Sequence, residues 1–590
     1  MNIEHQLASE FINAVKSCYG QDINSKSVQI QKTKTEFQGE YTFVVFPFLK
    51  LSKKSPEATA QELGGNLKSN CALISDFNVV KGFLNLTLSH DTWINTLLNL
   101  STEKNIKNEN PQNLMVEYSS PNSNKPLHLG HLRNNFLGYA VAEILKANGH
   151  NVIKTQIIND RGVHICKSML AWQKYANGAT PKSAGIKGDH FVGNYYVMFD
   201  KYYKEEIEVL TNEGMTKEQA MQEAPLFKEA SAMLRAWEDG DKEVTDLWQK
   251  MNSWVYDGFV PTYKTMGVDF DKLYYESDTY KLGKKAVEHG ISKGVFYKRE
   301  DGSVWCDLTE DGLDEKLVLR KDGTAVYMTQ DIGTAIERYS DYNVNGIIYT
   351  VANEQDYHFK VLFLIMKKLG YDFYKGLFHL SYGMVDLPSG RMKTREGTVV
   401  DADEIMQEMV DTATKATEEK GKTSGFTAEE IKTINKNVGM SALKYFILKV
   451  DPRKGMIFNP EESIDFNGNT GPFILFNYVR TKSVIVKNGA TADVSKIDNL
   501  SLSEKETQLI FKLNEYPKAL AVAAKEYSPA IIANYCYDLA KDYSQFYAAS
   551  PILKEENEAI KQMRLLLSEK IGTTLQNGMS LLGCDMVERM

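Results

Sequence analysis

One line of the chain constrains the fold more than any other: Ser119-Ser-Pro-Asn-Ser-Asn-Lys-Pro-Leu-His-Leu-Gly-His-Leu-Arg133. It follows the apolar, strand-like run Leu114-Met-Val-Glu-Tyr118 and opens a long amphipathic stretch carrying Leu132, Phe136, Val141, Ile144 and Leu145. That stretch stops at Gly149, the pattern of a helix with a glycine just past its end. Pro126 suits the first turn of such a helix, where a missing N–H costs nothing. A strand, a loop and a helix that begins with His128 and His131, spaced i and i+3 around Gly130, form an anion site. Free backbone N–H groups and the helix dipole point outward there, and imidazoles can donate to phosphate oxygens as charge develops on them. The four letters alone are also compatible with two partly exposed histidines on a first helical turn.

A chain of 590 residues with 43% hydrophobic content is expected to form several domains with real cores. Six scattered cysteines, with no C-x-x-C pair and no histidines at zinc spacing, suggest neither a disulfide framework nor zinc. The N-terminus has no basic region followed by an apolar core, and no run is long enough to span a bilayer. A soluble, cytoplasmic protein with no membrane partner is expected. A net charge of −8 argues against an indiscriminate nucleic-acid binder, although one basic face is enough for phosphates. Lysines cluster late, at Lys432, Lys436, Lys444, Lys449, Lys454, Lys482 and Lys487, where a solvated helix face is the simpler reading.

Residues 1–110 have the pattern of an α+β module: a helix with Ala8, Phe11, Ile12 and Val15, a strand at Tyr41 to Phe46, a helix from Ser55 and a strand-like run from Val79 to Leu88. The polar stretch 101–111 is a linker candidate. Over 111–400, strand candidates at Leu114 to Tyr118, Val152 to Ile158, Gly346 to Val351 and Phe378 to Met384 alternate with helices. This implies a doubly wound parallel sheet, with a charged, aromatic helical insertion at about 180–290. Over 401–590 strand signals vanish and amphipathic helices follow one another.

The surroundings of the histidines add a resemblance. Glu117, the S-S-P-N of 119–122, Lys125 and His128-Leu-Gly-His131 together resemble the HIGH signature of class I aminoacyl-tRNA synthetases in its arginyl-tRNA synthetase version. Gly390-Arg-Met-Lys-Thr-Arg-Glu-Gly-Thr398 is similar to the class's K-M-S-K-S loop, though the bare string is equally a basic surface turn. Thr394 departs from the pattern at the place of the second lysine, the one usually aimed at the phosphates. Arginyl-tRNA synthetases commonly lack that lysine and carry one just before the HIGH tetrad, where this chain has Lys125. A lysine is a flexible point charge that serves from either side of a phosphate cleft.

The resemblance implies a Rossmann-like catalytic domain between an N-terminal α+β tRNA-binding domain and a C-terminal all-α anticodon-binding domain. It implies arginine–tRNA ligase activity with Mg-ATP, L-arginine and tRNA(Arg), from a monomer with no zinc, and with tRNA typically needed for amino-acid activation. Carried over residue by residue, His128, His131, Lys125, Arg391, Lys393 and Arg395 would serve catalysis. His128, Gly130, His131, Met384, Val385 and Met392 would bind ATP. Glu117, Asn122, Tyr327, Asp331 and Gln355 would hold arginine, with Asp331 and Tyr327 at the guanidinium. A guanidinium wants planar carboxylate partners, which reject neutral side chains because their own charge would stay unpaired. Glu354 stands where the family often has glutamine, and no role is carried over to it. For tRNA the candidates are Phe83 and Asn85 on one strand face, Phe476 and Arg480 one helical turn apart, Tyr535, and the terminal Met590. An aromatic stripe is also ordinary core packing, and for Phe83 and Tyr535 both readings stand.

Overall fold

The computed structural model describes residues 3–34, 36–388, 400–420, 425–498 and 500–590. At its centre is a five-stranded parallel sheet in the order Leu377–Tyr382, Gly346–Ala352, Asn113–Glu117, Asn151–Ile158 and Lys272–Tyr275. Asn113–Glu117, the first strand in sequence, stands in the middle, so successive crossovers turn away from it in opposite directions. That reversal opens a crevice beyond the carboxyl ends of Asn113–Glu117 and Gly346–Ala352, the place where open α/β sheets bind ligands.

The helix after the central strand is Leu129–Ala147, with His128 as its N-cap and Gly149 at φ +76° beyond its end. The glycine stop is where the sequence places it. Pro126, expected in the first turn, instead lies two residues before the cap. The chain needs those residues to climb from the sheet to the helix start. Ser119 and Ser120 make this ascent with φ of 75° and 46°, two successive left-handed conformations that residues with side chains adopt at a cost. The side chains of Asn134 and Asn135, both residues buried, hold the first of them. Ser119 N–H donates to Asn134 Oδ1 at 2.5 Å, and Asn135 Nδ2 donates to Ser119 Oγ at 3.2 Å. Asn134 Nδ2 in turn donates to Thr350 O (2.7 Å) and Tyr382 Oη (3.1 Å), tying the turn to two neighbouring strands.

The interval 180–290 is not wholly helical insertion. It holds Gly188–Asn212, Lys217–Glu223, Pro225–Glu238 and Lys242–Met266, but also the edge strand Lys272–Tyr275. That strand escapes a periodicity reading because only Tyr274 of its four residues is buried. A three-stranded antiparallel sheet, Phe296–Lys298, Val304–Cys306 and Lys316–Leu319, precedes the helix Tyr327–Tyr342 and lacks any sequence expectation because its strands are only three or four residues long.

The N-terminal module is a four-stranded antiparallel sheet, ordered Ile30–Lys32, Tyr41–Val44, Phe83–Leu88 and Ile74–Val80, covered by Ile3–Tyr19 and Pro56–Asn70. The run from Val79 to Leu88 is thus two strands joined at Lys81 and Gly82, both with positive φ. The stretch 101–112 is irregular yet docked: Ile106 N–H donates to Ala147 O, and Asn577 Nδ2 donates to Thr102 O. From Ala402–Lys420 onward the regular elements among the described residues are helices apart from Met456–Ile457, which pairs with Val385–Asp386. Lys444 does not belong to a solvated face: it is buried and its Nζ donates to Gly583 O. No helix among the described residues is long and apolar enough to cross a membrane.

Asn134 joins the strained turn to two strands, so Asn134→Ala leaves buried donors and acceptors unpaired. We expect the first urea-unfolding transition to lose about 2–4 kcal/mol, a sum of roughly two unsatisfied groups, while Asn134→Asp loses less.

Candidate active site

The two histidines cap their own helix reciprocally. Gly130 N–H donates to His128 Nδ1 at 3.2 Å, and His128 N–H donates to His131 Nδ1 at 3.1 Å. Their rings lie 3.9 Å apart. A Cβ at position 130 would stand 3.0 Å from His128 Cε1, so glycine is what lets the first ring fold over the helix start. Because each Nδ1 accepts, each neutral ring carries its proton on Nε2, and that N–H is left to donate to a ligand. Burial keeps them neutral: His128 is pushed down to about 4, chiefly by desolvation with help from the Lys125 charge. His131 is pushed well below its ordinary value by burial, then by His128 and Lys125. Burial also lowers Lys125. Lys125, Pro126, Leu127 and His128 form one wall of a cleft of about 210 Å³, facing His190, Asn194 and Asp401.

Arg391, Met392, Lys393, Thr394 and Arg395 lie outside the described residues. The chain on either side of them is fastened to the histidine helix. On the near side, buried Arg133 donates from Nη1 to Met384 O (3.4 Å) and from Nη2 to Pro452 O (3.1 Å) and Lys454 O (2.6 Å). Met384 is exposed and Val385 buried. On the far side, Leu129 N–H donates to Val400 O (3.2 Å) and Ala402 N–H to Leu127 O (3.0 Å), making an antiparallel bridge between His128 and Asp401. Sequence reasoning passed over Arg133.

Beside the cleft, one ligand atom from each of His190, Asp401 and Asp403 lies within 4.8 Å of the others. Lys187 makes ion pairs with Asp403 and with Asp189. His190 and Lys187 hold Asp403 below its usual range against the opposing effect of burial. With a lysine among its partners, this group is a salt cluster joining the start of Gly188–Asn212 to the helix Ala402–Lys420.

The expected arginine ligands gather at the carboxyl rim of the sheet. Glu117 ends the central strand, and Asn122 bridges to Asn159 of the next crossover. Tyr327 and Asp331 stand one turn apart on Tyr327–Tyr342, Tyr327 being 70% exposed. Gln355 is exposed on the 3-10 turn after Gly346–Ala352. Asp331 Oδ2 lies 2.6 Å from His358 Nε2. Glu117 is already paired: its carboxylate meets Arg338, with side-chain exposures of only 8% and 2%. Tyr274 and Tyr349 flank that guanidinium at 5.1 and 5.8 Å. Arg338 was missed, although Asp331 and Arg338 are seven residues apart in a helical stretch and therefore share a face. That pair leaves Asp331 as the more accessible negative charge of the expected set.

The sequence families agree with this geometry. The family described as tRNA synthetases class I (R), catalytic domain, matches residues 93–459; an arginyl tRNA synthetase N terminal domain matches 5–88, and a DALR anticodon binding domain matches 474–590. The arginine–tRNA ligase of Parabacteroides distasonis is 55% identical, with all of both chains covered. That of Bacteroides thetaiotaomicron is 56% identical, again over 100% of each. The chain belongs to the arginyl-tRNA synthetase family. The Thermus thermophilus arginyl-tRNA synthetase superposes with a TM-score of 0.80 over 99% of this chain and 100% of that one, at 24% identity. The Plasmodium falciparum arginyl-tRNA synthetase gives 0.77 over 100% and 99%, at 20% identity. These two are likenesses of fold.

Within an arginyl-tRNA synthetase frame, the residues expected to meet tRNA are placed unequally. Phe83 is exposed and meets exposed Phe46 edge-on at 5.4 Å. Asn85 is only 2% exposed and accepts from Thr42 Oγ1 at 2.6 Å, so the strand face it shares with Phe83 turns inward at that point. Arg480 is held by Asn477 (2.9 Å) and Ser544 (3.0 Å) between the exposed rings of Phe476 and Tyr547, 4.8 and 4.7 Å away. Tyr535 packs on Tyr516 and donates to Lys512 O at 2.8 Å, on the core side of its helix. Met590 is half-buried against the helical core.

Nitrogen NMR of labelled histidines is expected to show His128 and His131 neutral, with the proton on Nε2, from pH 8 down to 5.5, and His128 titrating near 4. Their unfolded-state counterparts take up protons near 6.5 that the native rings refuse. Their contribution to stability is therefore full above about 6.5 and falls as pH drops toward 4. Separately, Arg338→Met leaves Glu117 as a buried unpaired charge and should cost about 3–5 kcal/mol in urea unfolding, most of it recovered in the double variant with Glu117→Gln.

Proposed function

We propose that the chain is an arginine–tRNA ligase that couples ATP hydrolysis to AMP and pyrophosphate with esterification of tRNA(Arg). The observation that carries this reading is the pair of neutral imidazoles at a helix N-terminus beside Lys125, at the mouth of a crevice whose far rim carries Asp331. In the first step the arginine carboxylate attacks the α-phosphate of Mg-ATP, a P–O bond forms, and pyrophosphate leaves. In the second, a hydroxyl of the terminal tRNA ribose attacks the adenylate carbonyl and AMP leaves. No protein nucleophile is required. The Nε2–H groups of His128 and His131 and the Lys125 ammonium meet the phosphate oxygens, where preorganised donors in a dry site act most strongly. Arg391, Lys393 and Arg395 add charge at the departing pyrophosphate, with Gly130, Met384, Val385 and Met392 shaping the nucleotide cleft. Asp331 and Tyr327 take the guanidinium, and Asn122, Gln355 and the Arg338-paired Glu117 take the rest of the amino acid. Phe83 on the N-terminal module, Phe476 with Arg480 on the helical domain, and the terminal Met590 face tRNA. The same reading makes the protein a cytoplasmic enzyme that works as a monomer, with magnesium arriving on ATP and no zinc.

The test is charging of total tRNA with each of the twenty amino acids in turn. Arginine alone should be esterified, and ATP–pyrophosphate exchange should need tRNA. Charging with another amino acid, or none, removes the proposal. Lys125→Ala should slow adenylate formation about 100-fold, in the range of losing one preorganised donor, with tRNA affinity nearly unchanged.

A further inference from the structure

Arg133 carries a buried charge that, among the described residues, no acid pairs. It stands on the histidine helix Leu129–Ala147, two residues after His131, and is 0% exposed. Burial pushes its guanidinium down to about 10, a fall that Tyr382 and Asp451 only partly offset. What the side chain holds is backbone. Nη1 donates to Met384 O (3.4 Å), and Nη2 donates to Pro452 O (3.1 Å) and Lys454 O (2.6 Å). An apolar side chain would fill the same space without desolvating a charge, so the three carbonyls are the return for that cost.

Those carbonyls belong to two segments that meet edge to edge. Val385–Asp386 and Met456–Ile457 pair in parallel over two residues each, a ladder too short to be stable by itself. Around it, Gly383 N–H donates to Pro452 O (2.9 Å), Met456 N–H to Met384 O (3.0 Å) and Phe458 N–H to Asp386 O (2.8 Å). The approach is close: a Cβ at Gly383 would stand 2.4 Å from Gly455 N. Asp451 closes the turn beside it, accepting Lys454 N–H on its carbonyl (3.0 Å) and Arg453 N–H on its carboxylate (2.9 Å). Arg133 bonds both segments at once and ties them to the helix that carries His128 and His131.

We propose that Arg133 is a positioning residue for the nucleotide: by holding Met384 O against the turn of Pro452 and Lys454, it fixes the edge at Met384 and Val385 on which ATP is bound. This rests on the ATP reading above. The two imidazoles at the helix start serve the phosphates and Arg133 sets the other edge, so one rigid helix spaces the two ends of the nucleotide site. A guanidinium suits the task because its planar fork donates to several oxygens from a fixed frame, which the single ammonium of a lysine does not.

Steady-state charging of tRNA by the full-length protein, with ATP, arginine and tRNA varied in turn, reads the idea directly. Arg133→Met, which keeps the bulk and removes every donor, should raise the ATP KM at least about ten-fold, with kcat and the KM values for arginine and tRNA within about three-fold of wild type. The inhibition constant of a non-hydrolysable ATP analogue should rise by the same factor. Arg133→Lys keeps the charge but not the fork, and its ATP KM should rise about three-fold or more while staying below that of Arg133→Met. An ATP KM within two-fold of wild type in both variants, or a loss shared equally by kcat and all three KM values, would overturn the proposal. Where Arg133→Met does not fold, Arg133→Lys decides alone by the same split. Failure of the wild type to charge tRNA with arginine overturns the underlying reading instead, and no variant is needed to see it.

Discussion

Two left-handed residues in a row, Ser119 and Ser120, are the constraint on which the site depends. Such conformations cost about 1–3 kcal/mol each and persist only where the surroundings over-determine them. Here Asn134 and Asn135, on the helix that the turn leads into, supply the compensation from buried amides. The helix therefore holds the turn that positions it. Asn134 reaches on to Thr350 and Tyr382, so the turn, the histidine helix and two neighbouring strands lock as one unit. Between the turn and the helix the chain rises past Pro121 to Lys125 and Pro126, which form part of the cleft wall.

The same wall shows how burial sorts charge. Lys125 and the two histidines share a desolvated site, where only one cation is cheap to keep. The lysine charge presses both imidazoles further toward neutrality, while their capping bonds decide which nitrogen keeps the proton. The result is two N–H donors and one ammonium, which on the proposed reading meet a polyphosphate without three mutually repelling charges. At the opposite rim the logic inverts. Arg338 neutralises Glu117 inside the protein, which leaves Asp331, with a side chain 43% exposed, as the more accessible acid of the two.

What the sequence disclosed follows from the range of the interactions involved. The central strands, the histidine helix and its glycine stop were legible because local periodicity and a cap write them into adjacent letters. The edge strand Lys272–Tyr275 was not, since one buried side chain in four leaves no period to count. Arg133 and Arg338 were illegible for a different reason. Their roles depend on partners 221 to 321 residues away. Asn85 shows the limit from the other side: strand alternation placed it on one face with Phe83, but that face passes from rim to interior within two residues.

On the proposed reading, Lys125 takes the part of the lysine that Thr394 replaces. The chain on either side of the segment that carries Thr394 is bonded to the histidine helix, at Met384 and at Val400. Lys125 stands on the cleft wall beside His128. Reorganisation of charged groups is what makes electrostatic stabilisation expensive, so a cation held in place before reaction contributes more of its Coulomb energy to the transition state. Burial then works in two directions on the same residue. It lowers the lysine's proton affinity and, by excluding water, strengthens its attraction to phosphate. On the proposed reading, the negative charge of an entering polyphosphate restores that proton affinity, so the ammonium is firmest in the complex in which it acts.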